Sequence, residues 1–240
     1  MKGLVIREQT IGESDRLVTL LTADSGIVRA FARGAKQMKN RISSSTSLFA
    51  YADFSIYRGR EANVIDNASP IEVFFDLRKD IKKLALAQYF AQLAYELASE
   101  EQPAEEMLSV ILNALHLLCS SNKDLRIIKS AVEFRVLSLS GYMPDILACH
   151  TCGTYETDTM YFDALEGVIY CEEHGAAGAI PVPKSVITAI RYICLTEPKK
   201  IFSYTLSEEN LDILQSVSEK YLLSRIQKNL PTLAFYKGLD

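Results

Sequence analysis

Residues 16–32 read RLVTLLTADSGIVRAFA. Two short runs rich in apolar and β-branched residues, 16–22 and 27–32, flank Ala23-Asp24-Ser25-Gly26, a turn signal whose glycine is free to take a positive φ. The stretch predicts two strands joined by a tight turn. Outward from it, KGLVIREQ (2–9) reads as a preceding strand, SLFAYADFSIY (47–57) as a β-branched and aromatic one ending in Arg58-Gly59-Arg60, and ANVID (62–66) as its return. Five short strands within about seventy residues fit a small closed barrel such as an OB-fold. An SH3-like barrel answers the same pattern.

After Pro70 the period changes from two to that of a helix. Ile81, Leu84, Tyr89, Leu93 and Leu97 recur at helical spacing over 80–98. A second helix begins near Pro103, with Glu105 and Glu106 at its positive end and a stripe of Met107, Leu108, Ile111, Leu112, Leu115 and Leu118. A third runs from Asp124 to Ser140 and is stopped by Gly141 and Pro144. Residues 145–180 break the pattern. Helix resumes at Pro183 with Val186, Ile190 and Ile193, and a last one starts near Ser207, where Leu206 and Leu211 stand at staple spacing. The fold class is therefore α+β and multidomain: an N-terminal β-barrel, OB-fold or SH3-like (1–78), a helical domain (79–144 and 181–240), and an inserted element (145–180).

The insertion carries Cys149, Cys152, Cys171 and His174, spaced C-x2-C-x18-C-x2-H. Two intervening residues let both side chains of a short knuckle reach one ion, and eighteen leave room for a hairpin that brings the knuckles together. Candidate strands are Thr159–Asp163 and Val168–Tyr170, bent at Gly167. Three thiolates and an imidazole suit one tetrahedral Zn²⁺. His150 is the alternative fourth ligand, inside the first knuckle. A redox CxxC pair would open a helix in a βαβ unit, whereas this one follows a helix stop. A catalytic zinc keeps an open position, and the His-x-Glu signature of zinc deaminases is absent, so the site reads as structural. Cys119 and Cys194 fall on apolar helical faces and read as buried thiols.

Net charge is −4, but it is unevenly spread. Residues 1–60 hold ten Lys/Arg against five acids, leaving 16 basic and 25 acidic residues for the rest of the chain. Residues 25–52 contain no acid, yet they hold Arg29, Arg33, Lys36, Lys39 and Arg41 around a flexible, hydroxyl-rich middle. Such a loop can track a phosphate backbone, with Arg16, Arg58 and Arg60 extending the track. Phe31, Phe49, Tyr51, Phe54 and Tyr57 lie nearby, and one or two of them are candidates to stack on single-stranded bases. Against this stand the ordinary roles of such residues: charge runs are commonly solvated loops, and alternating aromatics commonly fill a barrel core.

No Walker A loop, G-x-G-x-x-G, H-E-x-x-H or G-x-S-x-G is present. The first twenty residues lack an apolar core for a signal peptide, and no long uncharged apolar run marks a membrane span. The chain reads as cytoplasmic, without membrane partners and without an enzymatic centre.

Several segments together resemble the RecO family of DNA repair proteins: Gly12-Glu13-Ser14-Asp15-Arg16, Leu20-Leu21-Thr22, Gly26, Ala32-Arg33-Gly34-Ala35-Lys36, Arg41, Leu48-Phe49, and Ser140-Gly141-Tyr142-Met143-Pro144 leading to Cys149-x-x-Cys152-Gly153, with Phe162, Gly167 and Cys171 beyond. His174 stands where zinc-bearing members typically carry a fourth cysteine, and Glu166-Gly167 where many have two glycines. The resemblance implies an N-terminal OB-fold β-barrel and an inserted zinc-binding β-hairpin element, with binding of single- and double-stranded DNA and annealing of complementary strands. It also implies partnership with RecR, and action on strands coated by single-stranded DNA-binding protein, whose C-terminal tail docks on the helical part, so that RecA can load. Such a protein works in the cytoplasm at the nucleoid. Two readings of other classes remain beside it: a zinc-dependent nucleic-acid-modifying enzyme, which needs an exchangeable water on the metal, and a protein-interaction adaptor without DNA affinity.

Overall fold

A computed structural model describes residues 1–37, 40–59, 62–175 and 177–239. Its first five strands are β1 (Lys2–Ile11), β2 (Asp15–Thr22), β3 (Gly26–Ala32), β4 (Ala50–Arg58) and β5 (Asn63–Val73). They close in the order β1-β2-β3-β5-β4, with β1 returning onto β4 and β3 running parallel to β5, which is the OB-fold barrel expected from the strand pattern. Period-two alternation puts Val18, Leu20, Ala30, Ala32, Ala52, Phe54 and Ile65 inside. Small alanines facing larger residues let so few strands fill the interior.

The turn that opens the sequence reading is tighter than its residues reveal. Gly26 has φ +57, and a Cβ there would stand 2.1 Å from the Ser99 carbonyl oxygen. The chain crosses this turn on leaving the first helix, where Ile27 N–H donates to Ser99 O (3.1 Å) and Glu101 N–H to Ser25 O (3.1 Å).

The helices are α1 (Ile81–Leu97), α2 (Glu105–Ser120), α3 (Leu125–Leu139), α4 (Lys184–Leu195), α5 (Glu208–Ile226) and α6 (Pro231–Lys237). Asp80 caps α1 by accepting from the Lys82 and Lys83 amides, Asp124 caps α3, and Ser207 caps α5. Two compact units result. One comprises 1–121 with 230–240, joining the barrel to α1, α2 and α6; the other is 122–229.

In the second unit, β6 (Thr159–Asp163) and β7 (Val168–Tyr170) form the hairpin at the expected residues, bent at Gly167 with φ +76. The structure adds β8 (Ile180–Pro183), which pairs with β6 and makes a three-stranded sheet β7-β6-β8. Pro181 and Pro183 disguise this strand, yet on a sheet edge a missing N–H costs no ladder bond. Phe162 of β6 stands edge-on to Phe134 of α3 (6.5 Å between centroids) and to Tyr221 of α5 (5.5 Å), fixing the hairpin to the helices. The sequence reading did not anticipate α6 either, a short helix opened by Pro231.

Candidate metal centre and nucleic-acid interface

The first knuckle follows the end of α3. Cys149 N–H donates to Thr154 O (2.8 Å), and Gly153 N–H returns to Cys149 O (2.9 Å), so the backbone curls around the Cys149–Cys152 pair. The second pair follows β7: Cys171 leaves the strand, and the next residues form a 3-10 turn (Glu172–His174) that swings His174 back, its N–H bonded to Cys171 O (3.0 Å). His150 N–H donates to Ile169 O (2.8 Å), holding the first knuckle against β7.

The result is a set of four donors, the Sγ atoms of Cys149, Cys152 and Cys171 and a ring nitrogen of His174, all within 4.8 Å of one another. Cys152 Sγ lies 3.7 Å from Cys171 Sγ, and Cys171 Sγ lies 3.1 Å from His174 Nδ1. A tetrahedral ion with sulfur bonds of about 2.3 Å sets its sulfurs about 3.8 Å apart, so these residues fit a metal ion. His150 is directed elsewhere, its Nδ1 3.9 Å from Asp145 and its ring edge-on to Tyr170. Burial raises the Cys149 thiol, but the backbone N–H groups of Cys152, Cys171 and Thr151 outweigh it and hold the thiol at about 6. The Cys171 thiol is pushed up, first by burial and then by Cys152. Crowded thiols resist ionising together, and a bound dication relieves that repulsion. Cys194 is buried, which pushes its thiol up to about 11, and Cys119 is half-buried.

Two helices brace this centre. From α5, Ser224 Oγ donates to Ala164 O (2.6 Å) and Arg225 to Leu165 O (2.8 Å), gripping the β6–β7 turn. From α4, the buried Arg191 reaches the segments on either side of the first knuckle. Arg191 belongs to no motif, but a charged residue among Ile187, Ile190 and Cys194 on an apolar helix face signals a buried group that needs acceptors.

The basic residues of the barrel divide into two groups. Arg16 donates to Ser43 O (2.8 Å) and Thr46 Oγ1 (3.3 Å), and it sits 3.9 Å from Glu8, so it fastens the β3–β4 linker to the barrel. Arg29 pairs with Glu100 (3.2 Å) and donates to Tyr95 Oη (3.1 Å). Arg33, Lys36, Arg41 and Arg58 are exposed and have no ion pair among the described residues. Lys39 and Arg60 lie outside the described residues.

Strand register brings three of the free groups to one edge. Thr10, Arg16 and Ala32 are cross-strand neighbours, so the β1–β2 turn and the exit of β3 adjoin. Lys36 N–H binds Ser14 O (2.9 Å) there, and Asn40 Nδ2 binds Arg33 O (3.2 Å), keeping Arg41 close. A row of cross-strand neighbours, Leu17, Phe31, Val64 and Tyr57, crosses the outer face. Arg33 follows Phe31 by two residues, and Arg58 adjoins Tyr57. Of the candidate aromatics, Phe49 and Phe54 are buried, Phe31 and Tyr51 are half-buried, and Tyr57 is 49% exposed.

A closed OB barrel whose cationic edge has no ion pair among the described residues, followed by a helical unit whose insertion gathers three thiols and an imidazole able to hold a metal ion, defines a class of barrel-headed proteins with a cysteine–histidine insertion. Comparison with known proteins narrows the class. Residues 1–74 match the family described as Recombination protein O N terminal, and residues 78–234 match Recombination protein O C terminal. Similar full-length relatives are proteins named DNA repair protein RecO from Acetivibrio thermocellus (32% identical, covering 99% of this chain and 96% of that one), Symbiobacterium thermophilum (28%, 99% and 96%) and Alkaliphilus metalliredigens (26%, 95% and 89%). This chain belongs to the RecO family of DNA repair proteins.

Proposed function

We propose that the protein is a non-enzymatic recombination mediator. It binds single- and double-stranded DNA through the barrel and anneals complementary strands. With RecR it helps RecA load onto strands coated by single-stranded DNA-binding protein, whose C-terminal tail docks on the helical part, in the cytoplasm at the nucleoid. The observation that carries this reading is the acid-free exit of β3, where Arg33, Lys36 and Arg41 are solvent-facing and unpaired among the described residues. Arg58, with Lys39 and Arg60, extends this track. Arg16 and Arg29 serve it from behind, as residues that hold the linker and β3 in place. Tyr57, and beside it Phe31, offer π-faces to unpaired bases. One structural zinc on Cys149, Cys152, Cys171 and His174 shapes the insertion: four protein donors leave no open position for substrate. The working segments are the barrel (1–78), the helical parts (79–144 and 181–240) and the metal element (145–180).

The test is a fluorescence titration with a single-stranded oligonucleotide at several salt concentrations. Each neutralised phosphate contributes a slope of about −0.7 in log K against log salt, so four contacts give about −3. The triple variant Arg33→Glu, Lys36→Glu, Arg41→Glu is expected to lose most of the affinity while its circular dichroism stays that of the parent. Unchanged binding overturns the assignment of this edge, and binding insensitive to salt favours an adaptor.

A further inference from the structure

We infer that Arg191, far from the four donors in sequence, sets the affinity of the metal centre by shaping the first knuckle before the ion arrives. Its side chain is 8% exposed. Nε donates to Ile146 O at 2.8 Å, and Nη2 donates to Leu147 O at 3.0 Å and to Tyr155 O at 2.7 Å. Nη1 stands 3.4 Å from Glu156 Oε2, and the guanidinium lies over the Tyr155 ring, 4.2 Å from its centroid. Ile146 and Leu147 precede Cys149, while Tyr155 and Glu156 follow Cys152. One planar fork thus ties the incoming and outgoing ends of the knuckle to α4. No other side chain among the described residues bonds both ends.

The chemistry of the fork explains why arginine stands here. These carbonyls fall outside named helices and strands, so no ladder or helix bond serves them, and the fork supplies their donors. A guanidinium offers five N–H groups in fixed directions and always carries its charge. An ammonium offers three from a single point and cannot span acceptors on two separate segments in one plane. With the ends held, part of the freedom of the Cys149–Cys152 loop is removed before the ion binds, and less binding free energy is spent on ordering it. Arg191 touches no donor atom of the set. It is a positioning residue, comparable to the outer partners of metal ligands, whose loss typically weakens binding about 10- to 100-fold.

This inference rests on the metal reading, and the experiment separates the two. Zinc affinity of the full chain is measured by competition with a chelating dye, and cobalt(II) substitution reports the thiolate count from its absorption bands. Arg191→Lys is expected to bind zinc about 10- to 100-fold more weakly while showing the same cobalt spectrum at saturation. Arg225→Lys loosens the β6–β7 turn without touching the knuckle, and is expected to stay within a few-fold of the parent. Parent-like affinity in Arg191→Lys overturns the inference, as does an equal loss in both variants, which marks mere loosening of the element. If the parent chain binds neither zinc nor cobalt, the metal reading falls and this inference with it. Where Arg191→Lys fails to fold, Glu156→Gln removes the charged partner of the fork together with the Lys184 ion pair (2.6 Å). It is expected to weaken zinc binding severalfold, and unchanged affinity there overturns the proposal.

Discussion

Gly26 carries two constraints, and only one of them is written beside it. Its place in Asp24-Ser25-Gly26 predicts a positive φ, which the structure has at +57. The second, the Ser99 carbonyl 2.1 Å from where a Cβ would stand, comes from a chain crossing more than seventy residues away. Gly26→Ala therefore meets a left-handed backbone costing about 1–2 kcal/mol and a backbone clash costing about 1–3 kcal/mol more. Urea unfolding is expected to show a loss of roughly 3 kcal/mol, and a loss under 1 kcal/mol would mean that the crossing yields easily. The basic residues teach the same lesson. Residue type and the acid-free window mark all of them as candidate phosphate contacts, but what each guanidinium touches is decided by register. Arg16 is consumed by Ser43 and Thr46, and Arg29 by Glu100 and Tyr95, while Arg33 and Arg41 stay free of ion pairs among the described residues. Tyr57 and Phe54 likewise look alike in composition, and strand alternation alone puts one outside and the other inside.

At the scale of elements, local chemistry declares most of the boundaries. The α3 start is an example: Asp124 accepts from the Arg126 amide (2.8 Å), and its carboxylate also holds the Arg126 side chain, which reaches Glu208 and Asp212 of α5. The hydrogen bond from Arg126, with its charge, holds the Asp124 carboxyl below the usual carboxylate range. A carboxyl depressed in the folded state adds stability above its unfolded value, near 3.9, and loses it as pH falls through the folded value. Asp124→Asn keeps the cap and removes the charge. It is expected to cost up to about 1 kcal/mol at pH 7, since the group is partly exposed, and less at pH 3, where the unfolded carboxyl is already largely protonated. Urea midpoints at pH 7 and pH 3 measure this, and an equal cost at both pH values would remove the ion pair from the account. What local signals miss are elements justified by tertiary position. Strand β8 holds two prolines that only an edge tolerates, and α6 is too short to declare a period. Lys129 and Glu133 look like a solvated i,i+4 pair on α3, yet both are fully buried, with Lys129 shared with Glu219 and Glu133 bonded by Ser218 (2.6 Å).

For the whole molecule, what can be read from sequence follows how far apart the cooperating residues lie along the chain. The four candidate metal donors come as two local pairs, and their spacing alone singles them out. The proposed nucleic-acid edge draws its residues from several strands and a linker, so composition suggests it and only register brings its residues together. Arg191 acts on a loop that ends thirty-five residues before it, and no local pattern links the two. The same distribution governs how a metal bound at the four donors would support the fold. Strands β6, β7 and β8 have 5, 3 and 4 residues, too few to stand as a free sheet. They have an apolar anchor, however, because Met160, Phe162, Ile169 and Val182 are fully buried. The knuckles are held less: Cys152 and His150 are exposed, and among the described residues the one backbone bond that leaves the Cys149–Thr154 loop is His150 N–H to Ile169 O (2.8 Å). Ligation free energy is folding free energy where no preformed core replaces it. Chelating the metal is therefore expected to raise amide exchange by an order of magnitude or more at 149–155 and 171–175. The rise should be smaller at Tyr161 and Phe162, and the barrel amides of 2–32 should show none. Cys149→Ser should reproduce the pattern with metal present. Uniform exchange across 145–175 would show that the sheet, too, depends on the ion, and unchanged protection at the knuckles would show that the bonds from Arg191 and Ser224 hold the insertion without it.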